Sequence, residues 1–309
     1  MDRLKNSLCQ LKVDFAFNFD VVEISTLKVN QIIKLAIFPK TTKQLLSVLK
    51  LLYRLKIHYK VLGNTSNILF VGYIDYPIVF TCKMKDEYQI SGNLVKVSAG
   101  MQLSRVIEIL KRNKLGGIEG LIGIPATIGG ALINNASAFG NAISTHLVSI
   151  SAFYQGGVIE CNANEFKFGY HLSNLKGLVL LSVSFLFENK NEYDIISLCN
   201  EYTYKRTLMQ PSGFSLGSVY QKVNGRSAGF YIERAGLKSM RVGGIVVSQK
   251  HANFFVNDKQ GSVQDFVRLQ DIVEKKVASQ FGVTLIPEIE RVGEYYETSC
   301  GSSYAFKIQ

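Results

Sequence analysis

The chain has 309 residues, 47% of them apolar and 19% charged, enough to bury a core that divides into two or three domains. Its net charge of +11 favours anionic partners, but the 35 lysines and arginines are spread along the whole chain, and without a basic arm or stripe nucleic acid is excluded as a partner. No run approaches the roughly 18 apolar residues of a membrane span, and five scattered cysteines and four scattered histidines lack ligand spacing, which excludes a span and a metal site.

Met1 to Lys12 has neither an apolar signal-peptide core nor a small-residue cleavage site, which places the protein in the cytoplasm. From Ile24 to Phe70 the pattern predicts an extended segment, a helix over Thr41 to Leu55 and a short strand over Tyr59 to Leu62, with Thr41 or Thr42 as the helix cap. The run VLGNTSNILF, Val61 to Phe70, carries a Gly-Asn-Thr-Ser-Asn loop. Successive amides in such a loop can cradle a phosphate, and the plainer reading of these residues alone is a tight turn between strands. Strands over Ile78 to Cys82 and Leu94 to Ser98 follow, then a helix over Leu103 to Asn113 closed by Gly116 and Gly117. The segment GLIGIPATIGGALINNASAFG, Gly120 to Gly140, is nearly free of charge. Its glycines permit close backbone approach to a ligand, and Thr127, Asn134 and Asn135 can supply hydrogen bonds.

Short strands are expected over Leu147 to Phe153, Gly157 to Cys161 and Leu178 to Phe187. A polar hinge at Asn189 to Tyr193 marks a domain boundary near residue 190, followed by a helix to about Leu208 and a Gly-rich stretch from Gln210 to Gly229. The expected organisation is α+β: an N-terminal region over 16–189 in two subdomains, 16–80 and 81–189, a C-terminal α+β domain over 190–292, and a loosely held tail over 293–309.

The two glycine-bearing loops are followed in order by RTLMQPSGFSLGSVYQKVNGRSAGFYIERAGLKSMRVGGIVVSQKHANFFVN, residues 206–257, and by Ile286-Pro287-Glu288-Ile289. Together they resemble the UDP-N-acetylenolpyruvoylglucosamine reductase family over about residues 24–292. The resemblance implies a two-lobed FAD-binding region and a C-terminal substrate-binding domain. It also implies the reaction: NADPH reduces FAD, hydride passes to C3 of the enolpyruvyl ether of UDP-N-acetylglucosamine, and an acid protonates C2, giving UDP-N-acetylmuramate for peptidoglycan precursors. The implied cofactor residues are Gly63, Asn64, Thr65, Ser66 and Asn67 in the first loop, and Gly123, Ile124, Pro125, Ala126, Thr127, Gly129, Gly130 and Asn135 in the second. Ser218 matches the proton donor, and Glu288 matches the carboxyl group that stabilises the enolic intermediate as a protonated donor. His171, in Tyr170-His171-Leu172-Ser173, stands where the family carries an arginine. Tyr170, Arg206 and Lys222 are the substrate-binding candidates.

The chain departs from the family pattern at several positions. Asn64 and Thr65 replace glycines, as does Ala126, and Met209 replaces a lysine; the added Cβ atoms are expected to narrow the approach to the pyrophosphate. Only Asn174 to Gly177 separates Ser173 from the next strand, so the chain resembles the subgroup that lacks the Tyr-bearing substrate loop. Ser248, Lys250, His251, Ala252, Asn253 and Phe254 are read as architecture, and a monomer or weak homo-oligomer is expected. The alternatives are another two-lobed FAD enzyme, which has no reason to carry Ser218 and Glu288, and a degenerate nucleotide-binding or scaffold protein without reductase activity.

Overall fold

The computed structural model describes residues 2–175 and 177–293, so the expected tail beyond Gly293 lies outside the described residues. Ahead of the elements expected from Ile24 onward come a helix, α1 (Asp2–Gln10), and a strand over Asp14–Asp20. Leu4 and Leu8 are one helical turn apart and buried, and they share an apolar cluster with Leu45, Val48, Leu49 and Leu52 of α2 (Thr42–Arg54). Thr41 caps α2, its hydroxyl accepting the Gln44 amide at 3.1 Å. The first sheet runs in the order 14–20, 32–38, 74–80, 60–62. Its first pair is antiparallel, and the other two are parallel because α2 carries the chain across between them.

The second sheet is antiparallel throughout, in the order 157–162, 147–154, 179–186, 94–98, 88–91. Strand 179–186 divides its side chains between two cores. Leu180, Val183 and Phe185 pack in a cluster with α3 (Leu103–Arg112) and α4 (Ile128–Ile133), whereas Leu181 joins Phe153 on the α2 cluster. Helix α2 is therefore packed between the two sheets, which fixes the two lobes to each other.

Two expectations are corrected. Helix α3 closes at Asn113, whose side chain donates to the Ile109 carbonyl at 2.8 Å, and the left-handed residue that follows is Lys114 at φ 55° rather than a glycine. Gly116 instead enters a short pairing with Glu188. Helix α5 (Glu192–Met209), expected to open the C-terminal domain after residue 190, buries Ile195 and Cys199 in the core of the second lobe. By packing, the C-terminal unit begins after α5.

That unit is a sheet in the order 214–218, 254–257, 245–247, 241–242, packed with α6 (Ala228–Arg234) and α7 (Val263–Phe281) around Phe255, Phe266, Leu269 and Val273. The same core takes Leu27, Val29, Leu69 and Val71 from the first lobe. Asn257, 4% exposed, seals this junction. Its amide donates to the carbonyls of Leu27 at 2.9 Å and Lys28 at 3.1 Å, and its oxygen accepts the Gly261 amide at 2.7 Å. Asn257→Ala strands two buried backbone groups and a half-buried one and is expected to cost about 2 to 4 kcal/mol. Urea unfolding checks this, and an unchanged midpoint would mean that the stranded groups find water.

Candidate active site

Strand 60–62 delivers the chain into the first loop and strand 68–70 carries it away. A Cβ on Gly63 would lie 2.2 Å from Thr127 Oγ1, so the two expected loops touch here and a side chain would force them apart. The amides of Gly63, Asn64, Thr65, Ser66 and Asn67 donate to no other group among the described residues. With Thr65 at φ 59°, the loop leaves five successive N–H groups to an anion. The side chains that replace glycine are spent on the protein. Gln102 Nε2 donates to Asn64 Oδ1 at 2.9 Å, and the buried Thr65 hydroxyl donates to the Ile24 carbonyl at 3.2 Å.

In the second loop, Thr127 caps α4, its hydroxyl accepting the Gly130 amide at 3.3 Å. The amides of Ile128 and Gly129 are tied to the Met101 and Ala99 carbonyls, each at 2.8 Å, whereas those of Gly123 and Thr127 have no acceptor among the described residues. Ala126 turns its methyl to the second-lobe core. Asn135 donates through Nδ2 to the Gly169 carbonyl at 2.8 Å, while its buried Oδ1 has no partner among the described residues. Such an orphan acceptor costs free energy unless a ligand supplies a donor. The open amides and this acceptor fit a cofactor with a pyrophosphate and donor groups.

Asn135 also helps to hold a tight hairpin, 168–169 paired with 172–173, whose tip is Tyr170-His171. Ser173 pins its far side by donating to the Ile133 carbonyl at 2.6 Å. At the tip, His171 sits at φ 52° with its ring edge-on to Tyr170 at 4.2 Å, and its Nδ1 lies 3.4 Å from Glu288 Oε1. Lys222 Nζ lies 4.7 Å over the Tyr170 ring. Glu288 is held from two sides: its amide donates to the Val219 carbonyl at 2.8 Å, and its carbonyl accepts from Asn67 Nδ2 at 3.2 Å. Ser218 lies at a bulge in the pairing with 254–257, directly before Val219. Buried Asn253 steadies this strand by bonding both backbone groups of Tyr220, at 3.0 and 2.8 Å. The residues read as architecture thus include the clamp on the Ser218 strand.

The structure therefore brings together Tyr170, His171, Lys222 and Glu288, with Ser218 directly before Val219, whose carbonyl accepts the Glu288 amide. Arg206 contacts other groups: the carbonyls of Ile122 and Gly120 and the ring of Phe139. Gln102, which anchors Asn64, carries no local signal in the sequence, because a glutamine ahead of a helix has many uses. Burial drives the electrostatics. It pushes the Glu288 carboxyl up to about 7, and burial, then the Lys222 charge, pushes His171 down. Burial and, after it, the Glu288 charge raise the Tyr170 hydroxyl.

Comparison with known proteins agrees with this geometry. Residues 33–162 match the family described as "FAD binding domain", and residues 210–292 match "UDP-N-acetylenolpyruvoylglucosamine reductase, C-terminal domain". The UDP-N-acetylenolpyruvoylglucosamine reductase of Caldicellulosiruptor bescii is 35% identical over 306 residues, covering 94% of this chain and 94% of that protein. The chain belongs to the UDP-N-acetylenolpyruvoylglucosamine reductase family. The reductase of the same name from Streptococcus pneumoniae is 34% identical over 286 residues, 91% of this chain and 95% of its own. The crystal structure of the Thermus caldophilus reductase superposes with a TM-score of 0.75 at 28% identity, covering 90% of this chain and 98% of that one. The protein is an FAD-dependent reductase of this family, with the mixed α+β fold expected from its sequence. No helix among the described residues is long and apolar enough to cross a membrane.

The raised Glu288 carboxyl has a consequence for stability. Its proton is held more tightly in the folded chain, at about 7, than in the unfolded chain, at 4.5. The stability tied to the protonated form is complete below about pH 4.5 and is lost as pH rises through about 7. Glu288→Gln cannot ionise, so it is expected to be more stable than wild type at pH 8, by about 2 kcal/mol, with the difference shrinking toward pH 4. Denaturant unfolding at the two pH values checks this; a constant difference would show that ionisation of Glu288 plays no part.

Proposed function

We propose that the protein reduces the enolpyruvyl ether of UDP-N-acetylglucosamine to UDP-N-acetylmuramate, with NADPH as hydride donor, in the synthesis of peptidoglycan precursors. The observation that carries this reading is the placement of Glu288, a carboxyl raised to about 7 between the first cofactor loop and the Ser218 strand. FAD, when bound, would supply the hydride chemistry that links NADPH to the enolpyruvyl substrate. The open amides of Gly63 to Asn67, Gly123 and Thr127 would hold its phosphates, and Asn135 Oδ1 would accept a hydrogen bond from it.

The remaining work falls to this chain's own side chains. As C3 gains hydride, negative charge spreads from C2 onto the substrate carboxylate. Protonated Glu288 donates a hydrogen bond to that charge, which an ionised Glu288 would instead repel. Ser218 delivers its hydroxyl proton to C2, a transfer that serine can make only because the carbanionic carbon is a base comparable to an alkoxide, and the serine oxygen then regains a proton from solvent. Lys222 gives the carboxylate a fixed positive charge, and His171 adds one only when protonated. The five-residue connection between strands 172–173 and 179–186 supports membership of the subgroup without the Tyr-bearing loop.

The deciding experiment follows the visible spectrum of protein desalted after FAD addition, through anaerobic addition of NADPH and then of UDP-N-acetylglucosamine enolpyruvate. A flavin band that persists, bleaches and returns is the expected result, and a protein that retains no flavin would overturn the proposal. Ser218→Ala should leave bleaching by NADPH within about twofold of wild type while slowing recovery with substrate by about a hundredfold or more, the usual worth of a positioned proton donor. Equal loss of both phases would assign Ser218 to the scaffold.

For His171, the KM for the enolpyruvyl substrate should rise with pH in the wild type, because the imidazole loses its charge and Glu288 gains one. His171→Arg should flatten much of that rise. An identical pH dependence in the variant would remove His171 from carboxylate binding.

A further inference from the structure

Arg206 is the half-buried cation of the site that contacts none of Tyr170, His171, Lys222 and Glu288. It sits one turn beyond Tyr202 on the same face of α5. Phe139 stacks on Tyr202 with ring centroids 5.0 Å apart and planes 13° apart, and the guanidinium lies 5.4 Å over the Phe139 ring. From this seat, Nε donates to the Ile122 carbonyl at 2.9 Å, Nη2 to the Gly120 carbonyl at 3.3 Å, and Nη1 to Gln210 Oε1 at 3.2 Å. Gly120 is gripped at its other end as well, its amide donating to Asn141 Oδ1 at 2.7 Å. Gly123 follows at φ 81°, where a Cβ would lie 2.9 Å from Arg206 Cδ. Bulk at position 123 would displace the arginine, and loss of the arginine frees the turn.

We propose that Arg206 is a positioning residue for the cofactor: it fixes the Gly120–Gly123 backbone from which the second cofactor loop departs, and it does not serve as a ligand of the nucleotide-sugar substrate. This rests on the proposal that the second loop binds FAD. Three of the five guanidinium N–H groups are committed to the protein. No carboxylate among the described residues neutralises the charge, which acts instead on carbonyls and a ring. The positive charge is thus left uncompensated beside the open amides of Gly123 and Thr127, as suits a loop that receives phosphates. A lysine could keep the charge but not the fork that spans two carbonyls.

The test is titration of FAD into apoprotein, with steady-state KM for UDP-N-acetylglucosamine enolpyruvate measured at saturating FAD. Arg206→Ala should raise the Kd for FAD by about tenfold or more, the worth of lost charge-assisted bonds, and by more than it raises KM. Arg206→Lys should lie between the alanine variant and wild type. Millimolar ethylguanidinium should restore FAD binding to the alanine variant, whereas sodium chloride at equal ionic strength should not. Rescue of this kind would not follow from general loss of folding. A KM raised tenfold with an unchanged Kd for FAD would overturn the inference and return Arg206 to substrate binding. A wild-type apoprotein that takes up no FAD would overturn the cofactor-site reading as well.

Discussion

The site depends on one pairing, that of Glu290–Val292 with Ile68–Phe70. The two strands lie far apart in the chain and run parallel, so the segment carrying Glu288 is drawn against the loop that precedes Ile68. Asn67 completes the seam: its side chain donates to the Glu288 carbonyl and its own carbonyl accepts the Glu290 amide. The carboxyl proposed to act on the substrate is thereby placed by the same backbone that leaves five amides open. The junction of the C-terminal core with Leu27, Val29, Leu69 and Val71 holds that seam against shear.

Part of the strain in the described backbone falls at this site. Thr65, Asn135 and His171 all sit at positive φ without being glycine, each at a cost of about 1 kcal/mol or more. Each is tied down locally: Thr65 to Ile24, Asn135 to Gly169, and His171 by the hairpin whose flank Ser173 secures. A carboxyl kept out of water and an acceptor with no donor add to the load. Such features are tolerable in one place only because the surrounding cores are apolar and densely shared between lobes.

Much of this was legible in the sequence. The cap at Thr41, most strands of both lobes and the two backbone-rich loops follow from periodicity and from glycine, threonine and asparagine chemistry, whereas strands 14–20 and 88–91 do not. Helix α1 was available in the spacing of Leu4 and Leu8, though one turn of pattern among charges is weak. The ownership of α5 was not legible. Tyr193, Tyr204, Leu208 and Met209 are exposed while Ile195 and Cys199 are buried, so its apolar residues do not mark one face, and only tertiary packing says which core it joins. The turn after α3 misled for a different reason: a side-chain bond from Asn113 closes the helix and a lysine takes the left-handed position. At the site, the residue types were visible and their partners were not. Neither the tie of Asn64 to Gln102 nor the unpartnered oxygen of Asn135 has any signature along the chain, since both arise where distant segments meet. His171 and Glu288 were each singled out through family resemblance rather than spacing, and their contact is visible only in the structure.

The parallel seam also sets an order of events during synthesis. Ile68–Phe70 leaves the ribosome long before its partner strand exists, and the bond between Asn67 and Glu288 spans 221 positions. Both lobes of the N-terminal region can complete their sheets from residues up to 189, because no strand of either sheet comes from beyond it. The edge at 68–70 has no partner strand until residues 290–292 have emerged. The first loop and its flanking strands can therefore form on the nascent chain before the segment carrying Glu288 is made, and a chain terminated ahead of residue 288 lacks that carboxyl altogether.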